Sequence, residues 1–180
     1  MNKIEQATSA DSNNIAPLIY DAIGTIAHSL TNETEHYSVL KGLTSLVQNV
    51  TNRHSFENTF VVRNEGEILG IIVLYDGKRG KLLDDMLSEK LSYNIDIEAH
   101  DDEYYIDTIC VSKSARGKGI GTQLLMFAEQ QARNLGYKKL SLNVELGKVQ
   151  ARKLYERQGF VVTEPWSING EPFHHMVKQL

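Results

Sequence analysis

The stretch SKSARGKGIGTQLLMFAEQQARNLG, residues 112–136, decides the fold class of this chain. Gly117, Gly119 and Gly121 alternate with other residues and lead directly into a segment whose apolar residues recur at helical spacing. Glycine lets the backbone approach a ligand closely, and the first turn of a helix offers free amide groups and the positive end of the helix dipole. The stretch therefore predicts a turn that binds a phosphate or a pyrophosphate at the start of a helix.

The spacing of this turn excludes two common phosphate-binding motifs. A P-loop places Lys and Ser or Thr directly after its last glycine, whereas Lys118 lies between glycines. The dinucleotide fingerprint requires G-x-G-x-x-G, and this turn reads G-x-G-x-G. An alternative stays open at this point, in which the glycines only turn the chain while Arg116 and Lys118 face water.

The pattern around the turn predicts one α/β domain. Residues 103–111, EYYIDTICV, are almost all apolar or β-branched, which indicates a strand buried on both faces. A hairpin is expected around residues 64–67, and strands alternate with helices after it. Helices are predicted at residues 15–30, 33–50, 81–91, 119–135 and 147–158, and further strands at residues 3–8, 138–144, 160–166 and 172–180. A chain of 180 residues suits a single domain, and we assign residues 1–180 to it.

Composition narrows the class of protein. The formal charge of −4 argues against a nucleic-acid binder, and the sequence contains no apolar run of about 18 residues that would predict a membrane span. The N-terminal residues lack the form of a secretory signal. Cys110 is the one cysteine, so no internal disulfide can form, in agreement with a cytoplasmic location. We expect a cytoplasmic protein that contacts neither nucleic acid nor membrane.

Two segments together resemble the GNAT superfamily of acyl-CoA-dependent N-acetyltransferases. Residues 116–121, RGKGIG, fit its R/Q-x-x-G-x-G/A signature after a strand and before a helix. The second segment, LNVELGKVQARKLYERQGF at residues 142–160, has family residues at the usual spacing, namely Ala151, Leu154, Tyr155, Gly159 and Phe160. The resemblance implies an α/β (α+β) fold with a mixed, mostly antiparallel twisted sheet of six to seven strands and helices on both faces.

The resemblance also implies acetyl-CoA as cosubstrate and places its contacts. Backbone amides from Gly117 to Thr122 would hold the pyrophosphate, and an amide of β-strand residues near Val111 would hold the thioester carbonyl and its oxyanion. The backbone edge of that strand would pair with the pantetheine arm. The expected cofactor-binding residues are Ile109, Cys110, Val111, Arg116, Gly117, Lys118, Gly119, Ile120, Gly121, Thr122, Asn143 and Lys148.

Two of these positions depart from the family pattern. Asn143 stands where many relatives have a catalytic Glu, and an amide cannot accept a proton at neutral pH. Lys148 stands where many relatives have an Asn that contacts the cofactor. Asn143 could bind substrate or water, and Lys148 could pair with a phosphate or face solvent.

Tyr155 and Asp107 are the expected catalytic residues. Tyr155 matches the family's usual general acid for the departing thiolate, with a core aromatic residue as the alternative. Asp107 is the expected base, because burial in an apolar strand should raise its pKa; the alternative is a structural aspartate. Strict alternation would put Tyr105, Asp107, Ile109 and Val111 on one face and Tyr104, Ile106, Thr108 and Cys110 on the other.

Other reactive side chains carry weaker expectations. Cys110 is expected to be a small buried apolar residue rather than a nucleophile. His174 and His175 are adjacent on a predicted strand, so they point to opposite faces and do not form a metal pair. We predict no metal.

An acidic stretch suggests the acceptor. Residues 81–107 contain nine acids and two lysines. The acids are Asp84, Asp85, Glu89, Asp96, Glu98, Asp101, Asp102, Glu103 and Asp107. We hypothesise that they attract a cationic amine, either a small molecule or a protein amine; the alternative is a solvated acidic loop.

Three function classes are compatible with the sequence. The first is an N-acetyltransferase that moves an acetyl group from acetyl-CoA to a primary amine by direct attack in a ternary complex. The second is a non-catalytic acyl-CoA-binding regulatory protein, and the third is a partner-binding domain with a fortuitous glycine turn. The sequence leaves a homodimer, the acceptor and the acyl chain length open.

Overall fold

A computed structural model describes residues 2–88 and 96–180, except for the side chains of residues 85–88. The described residues form one seven-stranded sheet in the order β1-β2-β3-β4-β5-β7-β6. The strands are β1 Lys3–Gln6, β2 Thr59–Asn64, β3 Glu67–Asp76, β4 Tyr104–Val111, β5 Lys139–Glu145, β6 Val161–Ile168 and β7 Glu171–Gln179. All neighbours are antiparallel except β4 and β5, which confirms the mixed, mostly antiparallel sheet.

Helices cover both faces of this sheet, as predicted. They are α1 Ser12–Ile23, α2 Ile26–Thr31, α3 His36–Gln48, α4 Gly77–Ser88, α5 Ile120–Asn134 and α6 Val149–Arg157. On one face, Leu124 of α5 is buried in a cluster with Ile72 of β3. On the other face, Ile19 of α1 and Leu43 of α3 are buried in a cluster with Ile71. Because neighbouring strand residues point to opposite faces, β3 separates two apolar layers.

The predicted hairpin is present, and its two turn residues have a backbone conformation that suits a short hairpin connection. Glu65 and Gly66 connect β2 to β3 with φ angles of 49° and 87°. Two central residues with positive φ match the twist of antiparallel strands.

The helical prediction for residues 15–30 is wrong in one respect, since two helices lie there instead of one. Gly24 ends α1 with φ 57° and ψ −125°, a conformation outside the helical region. The helix predicted at residues 81–91 begins earlier, at Gly77, and continues to Ser88; its last three predicted residues lie outside the described ranges.

Strand β4 contains a β-bulge at Asp107. Leu74 of β3 pairs with Ile106, and Val73 pairs with Thr108, so Asp107 has no partner on β3. An extra residue of this kind bends the strand and shifts the alternation of the side chains that follow it.

The predicted alternation along β4 is therefore wrong beyond the bulge. Ile109 and Val111 contact the apolar cluster that contains Ile106, although strict alternation would separate them from it. Cys110 instead joins the cluster of α1 and α3. Asp107 is the residue at which the alternation of side chains between the two faces of the sheet shifts.

Strands β4 and β5 separate beyond their first residues. Their parallel pairing covers Tyr104–Leu140, Tyr105–Ser141 and Ile106–Leu142. The opposite edge of β4 stays paired with β3 as far as Val111. Residues 107–111 of β4 consequently have an edge with no strand partner among the described residues, and it faces the gap toward β5. No helix in the described ranges has the length and apolar character needed to cross a bilayer.

Candidate functional site

A cleft with a cavity volume of about 150 Å³ lies where β4 and β5 separate. Residues 105–109 of β4 and 142–145 of β5 form two of its walls, and residues 22–30 of α1 and α2 contribute to a third. Tyr155 of α6 also lines it. The splayed strands therefore create an opening in the middle of the sheet that an extended ligand could enter.

The glycine turn lies between the end of β4 and the start of α5. Gly117 and Gly119 have φ angles of 76° and 77°, and a Cβ at either position would meet no atom within 4 Å. Glycine is therefore required there by backbone conformation rather than by packing. Gly121 has an ordinary φ, and a Cβ there would lie 3.4 Å from Leu154, an ordinary contact between α5 and α6. The first-turn amides of α5 have no acceptor within the helix.

The side chains around this turn differ in what they contact. Arg116 is exposed, and its Nε donates to the carbonyl oxygen of Val111 at 3.2 Å. Lys118 is exposed, whereas Ile120 is fully buried in the core. Cys110 is buried, and burial raises the pKa of its thiol, in keeping with the expected apolar role.

Tyr155 is buried and lines the cleft. Burial raises the pKa of its hydroxyl to about 12, and the nearby Cys110 thiol adds to the effect. A hydroxyl with this pKa is protonated at neutral pH, so its proton is available to the departing thiolate. Tyr155 therefore has the protonation state that its predicted role requires.

Asp107 also lines the cleft, but the expected rise in its pKa is wrong. Burial favours the neutral carboxyl, yet the neighbouring His54 and Arg53 and the hydrogen bond from Tyr75 outweigh burial and hold the pKa of Asp107 well below its ordinary value. Tyr75 donates to Oδ2 at 2.7 Å, and Thr108 donates to Oδ1 at 2.7 Å. The carboxylate is ionised and already well supplied with partners.

A buried charged network extends from Asp107 behind the cleft. Arg53 donates from Nε to Asp84 at 2.8 Å, forms a short ion pair with Glu98, and lies 3.4 Å from Asp107. Tyr105 donates to the other oxygen of Glu98 at 2.7 Å. Arg53 thus faces three carboxyl groups, and burial raises the pKa of Glu98 above its ordinary value despite the pairing with Arg53. Burial raises the pKa of Asp84 to about 6 despite the pairing with Arg53.

Sequence reasoning missed Arg53 and His54, which lie in a polar loop before β2. Hydrogen bonds from side chains to the backbone order this loop: Asn52 Nδ2 donates to Leu46 O at 2.8 Å, and Asn58 Nδ2 donates to Asn52 O at 3.1 Å. Both asparagines are buried. The polar composition resembles that of a solvated loop, so the signal for burial was absent from the sequence pattern.

Both polar atoms of the Asn143 side chain have partners within the protein. Its Nδ2 donates to Glu98 O at 2.8 Å and to Tyr105 Oη at 3.1 Å, and its Oδ1 lies 2.7 Å from His175 Nδ1. The other nitrogen of His175 lies 3.1 Å from Glu103. Asn143 thus connects β4, β5 and β7 within the sheet.

Lys148 lies at the mouth of the cleft, just before α6. Its Nζ donates to the carbonyl oxygen of Ala22 at 2.7 Å and lies 3.2 Å from Glu145. This lysine joins the end of α1 to α6 across the opening.

His100, Glu164 and His175 form a group whose ligand atoms lie within 4.8 Å of one another. The predicted absence of a metal remains a prediction. The two ring nitrogens of His175 lie close to oxygens of Asn143 and Glu103. His100 Nε2 lies 2.7 Å from a carboxylate oxygen of Glu164.

The acids of residues 81–107 have different surroundings in the structure. Asp84, Glu98 and Asp107 converge on Arg53, and Asp96 lines the cleft. Asp102 pairs with Lys139 at the surface. The side chain of Asp85 and the whole of Glu89 lie outside the described residues. The stretch is thus only partly a solvated loop.

Comparison with known proteins identifies the family. The model of the acetyltransferase (GNAT) family matches residues 23–160. The chain belongs to the GNAT acetyltransferase family. A crystal structure of an acetyltransferase has 30% sequence identity to this GNAT protein and a TM-score of 0.81, with 98% of each chain covered. An N-acetyltransferase from Staphylococcus aureus Mu50 has 26% identity and a TM-score of 0.83, covering 97% of this chain and 99% of its own.

Curated relatives match this GNAT protein over shorter segments. An uncharacterized N-acetyltransferase of Bacillus subtilis is 49% identical over 49 residues, which cover 27% of this chain and 31% of that protein. The matched segments span about a third or less of the curated relatives' lengths. Family membership therefore comes from the family model and the full-length structural match.

Proposed function

We propose that this GNAT protein is an N-acetyltransferase that moves the acetyl group of acetyl-CoA to a primary amine by direct attack in a ternary complex. The observation that carries the proposal is the separation of β4 from β5 over residues 107–111, which immediately precede the glycine turn in the chain. It leaves the edge of residues 107–111 open for the pantetheine arm, while the free amides at the start of α5 suit the pyrophosphate.

Within this site, the chain supplies three kinds of group. Backbone amides of residues 117–122 would hold the diphosphate, with Arg116 and Lys118 as exposed positive charges near it. An amide near Val111 would hold the thioester oxygen as negative charge develops. Tyr155 would give its proton to the sulfur as the carbon–sulfur bond breaks, and it would regain a proton from the acylated nitrogen.

The acceptor end of the cleft supports a cationic amine. Glu98 and Asp107 face a single arginine, Arg53, and Asp96 adds a further acid at the cleft wall. A positively charged acceptor would complement these acidic side chains and would be drawn toward the thioester.

The test is thiol release from acetyl-CoA with a panel of primary amines, coupled to mass spectrometry of the acetylated product. We expect release that depends on both substrates and on the positive charge of the amine. A non-catalytic acyl-CoA-binding regulator is the second candidate, because Asn143 replaces the Glu of many relatives and is fully engaged in internal hydrogen bonds. That candidate predicts acetyl-CoA binding without transfer to any amine.

A further inference from the structure

His54 lies on the wall of the cleft with unused hydrogen-bonding capacity. The residue is 3% exposed, and neither Nδ1 nor Nε2 has a hydrogen-bond partner in the described part of the chain. Buried polar groups are nearly always paired in folded proteins, so an unpaired imidazole in a binding cleft suggests a ligand as its missing partner.

The surroundings of His54 fix which nitrogen is available. Nε2 lies 3.2 Å from Oδ1 of Asp107, at ion-pair distance. The backbone N–H of His54 donates to Asn52 at 2.9 Å, which anchors the residue in its ordered loop. With Nε2 turned toward Asp107, Nδ1 is the nitrogen left for a ligand.

Asp107 is poorly suited to take a proton from the amine itself. Its carboxylate accepts from Tyr75 and Thr108 and lies close to Arg53 and His54. These contacts stabilise the ionised form, and a strongly stabilised carboxylate is a weak base.

We propose that His54, oriented by Asp107, is the catalytic base that accepts a proton from the acceptor amine. This inference rests on the proposed function and names a residue of that same site. It changes the role of Asp107 from base to positioning residue. An aspartate that holds an imidazole and stabilises its protonated form is a recurring arrangement in enzymes.

The proton transfers balance without a further reactant. The ammonium N–H bond of the acceptor breaks, its proton binds to Nδ1 of His54, and the electron pair stays on the nitrogen, which attacks the thioester carbonyl. When the carbon–sulfur bond breaks, Tyr155 protonates the sulfur and receives the second proton from the nitrogen. His54 afterwards releases its proton to water, while Asp107 remains ionised throughout.

The experiment compares the wild type with His54→Gln and His54→Asn on amines of similar shape and graded basicity. The series runs from ethylamine to its increasingly fluorinated analogues, the weakest of which are already neutral at the assay pH. General bases contribute about 10²–10⁴-fold to rate, so we expect a loss in that range for ethylamine. The loss should shrink along the series, because a neutral amine has less need of a base. His36→Gln, an exposed histidine outside the cleft, serves as the control and should match the wild type.

Calorimetric titration with acetyl-CoA distinguishes a loss of catalysis from a loss of folding or of cofactor binding. Both His54 variants should bind the cofactor as the wild type does, which shows that they are folded. Asp107→Asn should show the same dependence on amine basicity, and adding it to His54→Gln should cost little more because both act on one proton transfer. An equal loss across all amines, or full activity of a His54 variant, would overturn the inference but leave the proposed function intact. No thiol release by the wild type with any amine would overturn both.

Discussion

Arg53 holds Asp84 with two hydrogen bonds to one carboxylate oxygen, from Nε at 2.8 Å and from Nη2 at 2.5 Å, and both side chains are buried. The pair joins the loop before β2 to α4, across 31 residues of sequence. The same guanidinium also faces Glu98 and Asp107. The packing of the loop against α4 and β4 therefore depends on the positive charge of Arg53.

Arg53→Gln should therefore be strongly destabilising. Removing one partner from a buried ion pair leaves an uncompensated charge and typically costs about 3–5 kcal/mol. Urea unfolding of the variant should show a loss of this size in the free energy of unfolding. Arg157→Gln removes an exposed arginine and should change the free energy of unfolding by less than about 0.5 kcal/mol. Equal stability of the two variants would contradict the structural role of Arg53.

Glu103 should give stability a dependence on acidic pH. Burial opposes ionisation, but hydrogen bonds from His175 and Ser141 outweigh it, and the pKa of Glu103 lies below 4.5. Because the folded-state pKa is lowered, the contribution of Glu103 is present above pH 4.5 and is lost as the pH falls through the folded-state value. Glu103→Gln should thus reduce the unfolding free energy near neutrality, and the difference from wild type should shrink below pH 4.5. A difference that does not change with pH would contradict this assignment.

Tyr155→Phe should lower kcat and leave acetyl-CoA affinity nearly unchanged. Loss of a general acid costs about 10²–10⁴-fold in rate, and the ring that packs against Phe160 is retained. Tyr104 offers a matched control, since burial raises its pKa to about 12 as well, but it does not line the cleft. Steady-state kinetics of Tyr104→Phe should resemble the wild type. The account would be contradicted if the two variants lost activity equally.

Asp96→Asn tests the charge of the acceptor. A carboxylate about 4 Å from a cation contributes roughly 1 kcal/mol in water, which is about a fivefold effect. We expect about this fall in kcat/KM for a diamine and little change for an amino alcohol of the same length. Asp101 is an exposed acid that does not line the cleft, so Asp101→Asn should leave kcat/KM unchanged for both the diamine and the amino alcohol. A similar fall for the amino alcohol would exclude charge recognition by Asp96.

The parts of the fold that sequence predicted are those set by local chemistry. The turn at Gly117 and Gly119 and the hairpin at Gly66 follow from residues that tolerate positive φ, which can be read along the chain. The seven-stranded sheet and the position of Tyr155 in the cleft agree with the order of elements and the family motif.

The parts that sequence did not predict depend on contacts between distant residues. The bulge at Asp107 depends on the pairing register between β3 and β4. The sequence of one strand does not specify how its residues pair with those of a neighbouring strand. Burial of Arg53 depends on Asp84, Glu98 and Asp107, which lie 31 to 54 residues from it in the sequence, and His54 lies beside Asp107. The pKa of Asp107 differs from the sequence prediction for the same reason, since burial can be anticipated from the strand pattern but the neighbouring Arg53, His54 and Tyr75 cannot.

Calorimetric titration of acetyl-CoA into the wild type, Gly119→Ala and Gly136→Ala tests the central claim most directly. Both glycines have positive φ, 77° and 83°, with open space where a Cβ would lie, so both substitutions impose similar strain. Gly119 precedes α5 at the proposed diphosphate site, whereas Gly136 follows the end of that helix. We predict saturable binding to the wild type and Gly136→Ala, and binding at least about tenfold weaker, or 1.4 kcal/mol, for Gly119→Ala. No binding to the wild type, or equal weakening by both substitutions, would contradict the assignment of this turn and cleft to acetyl-CoA.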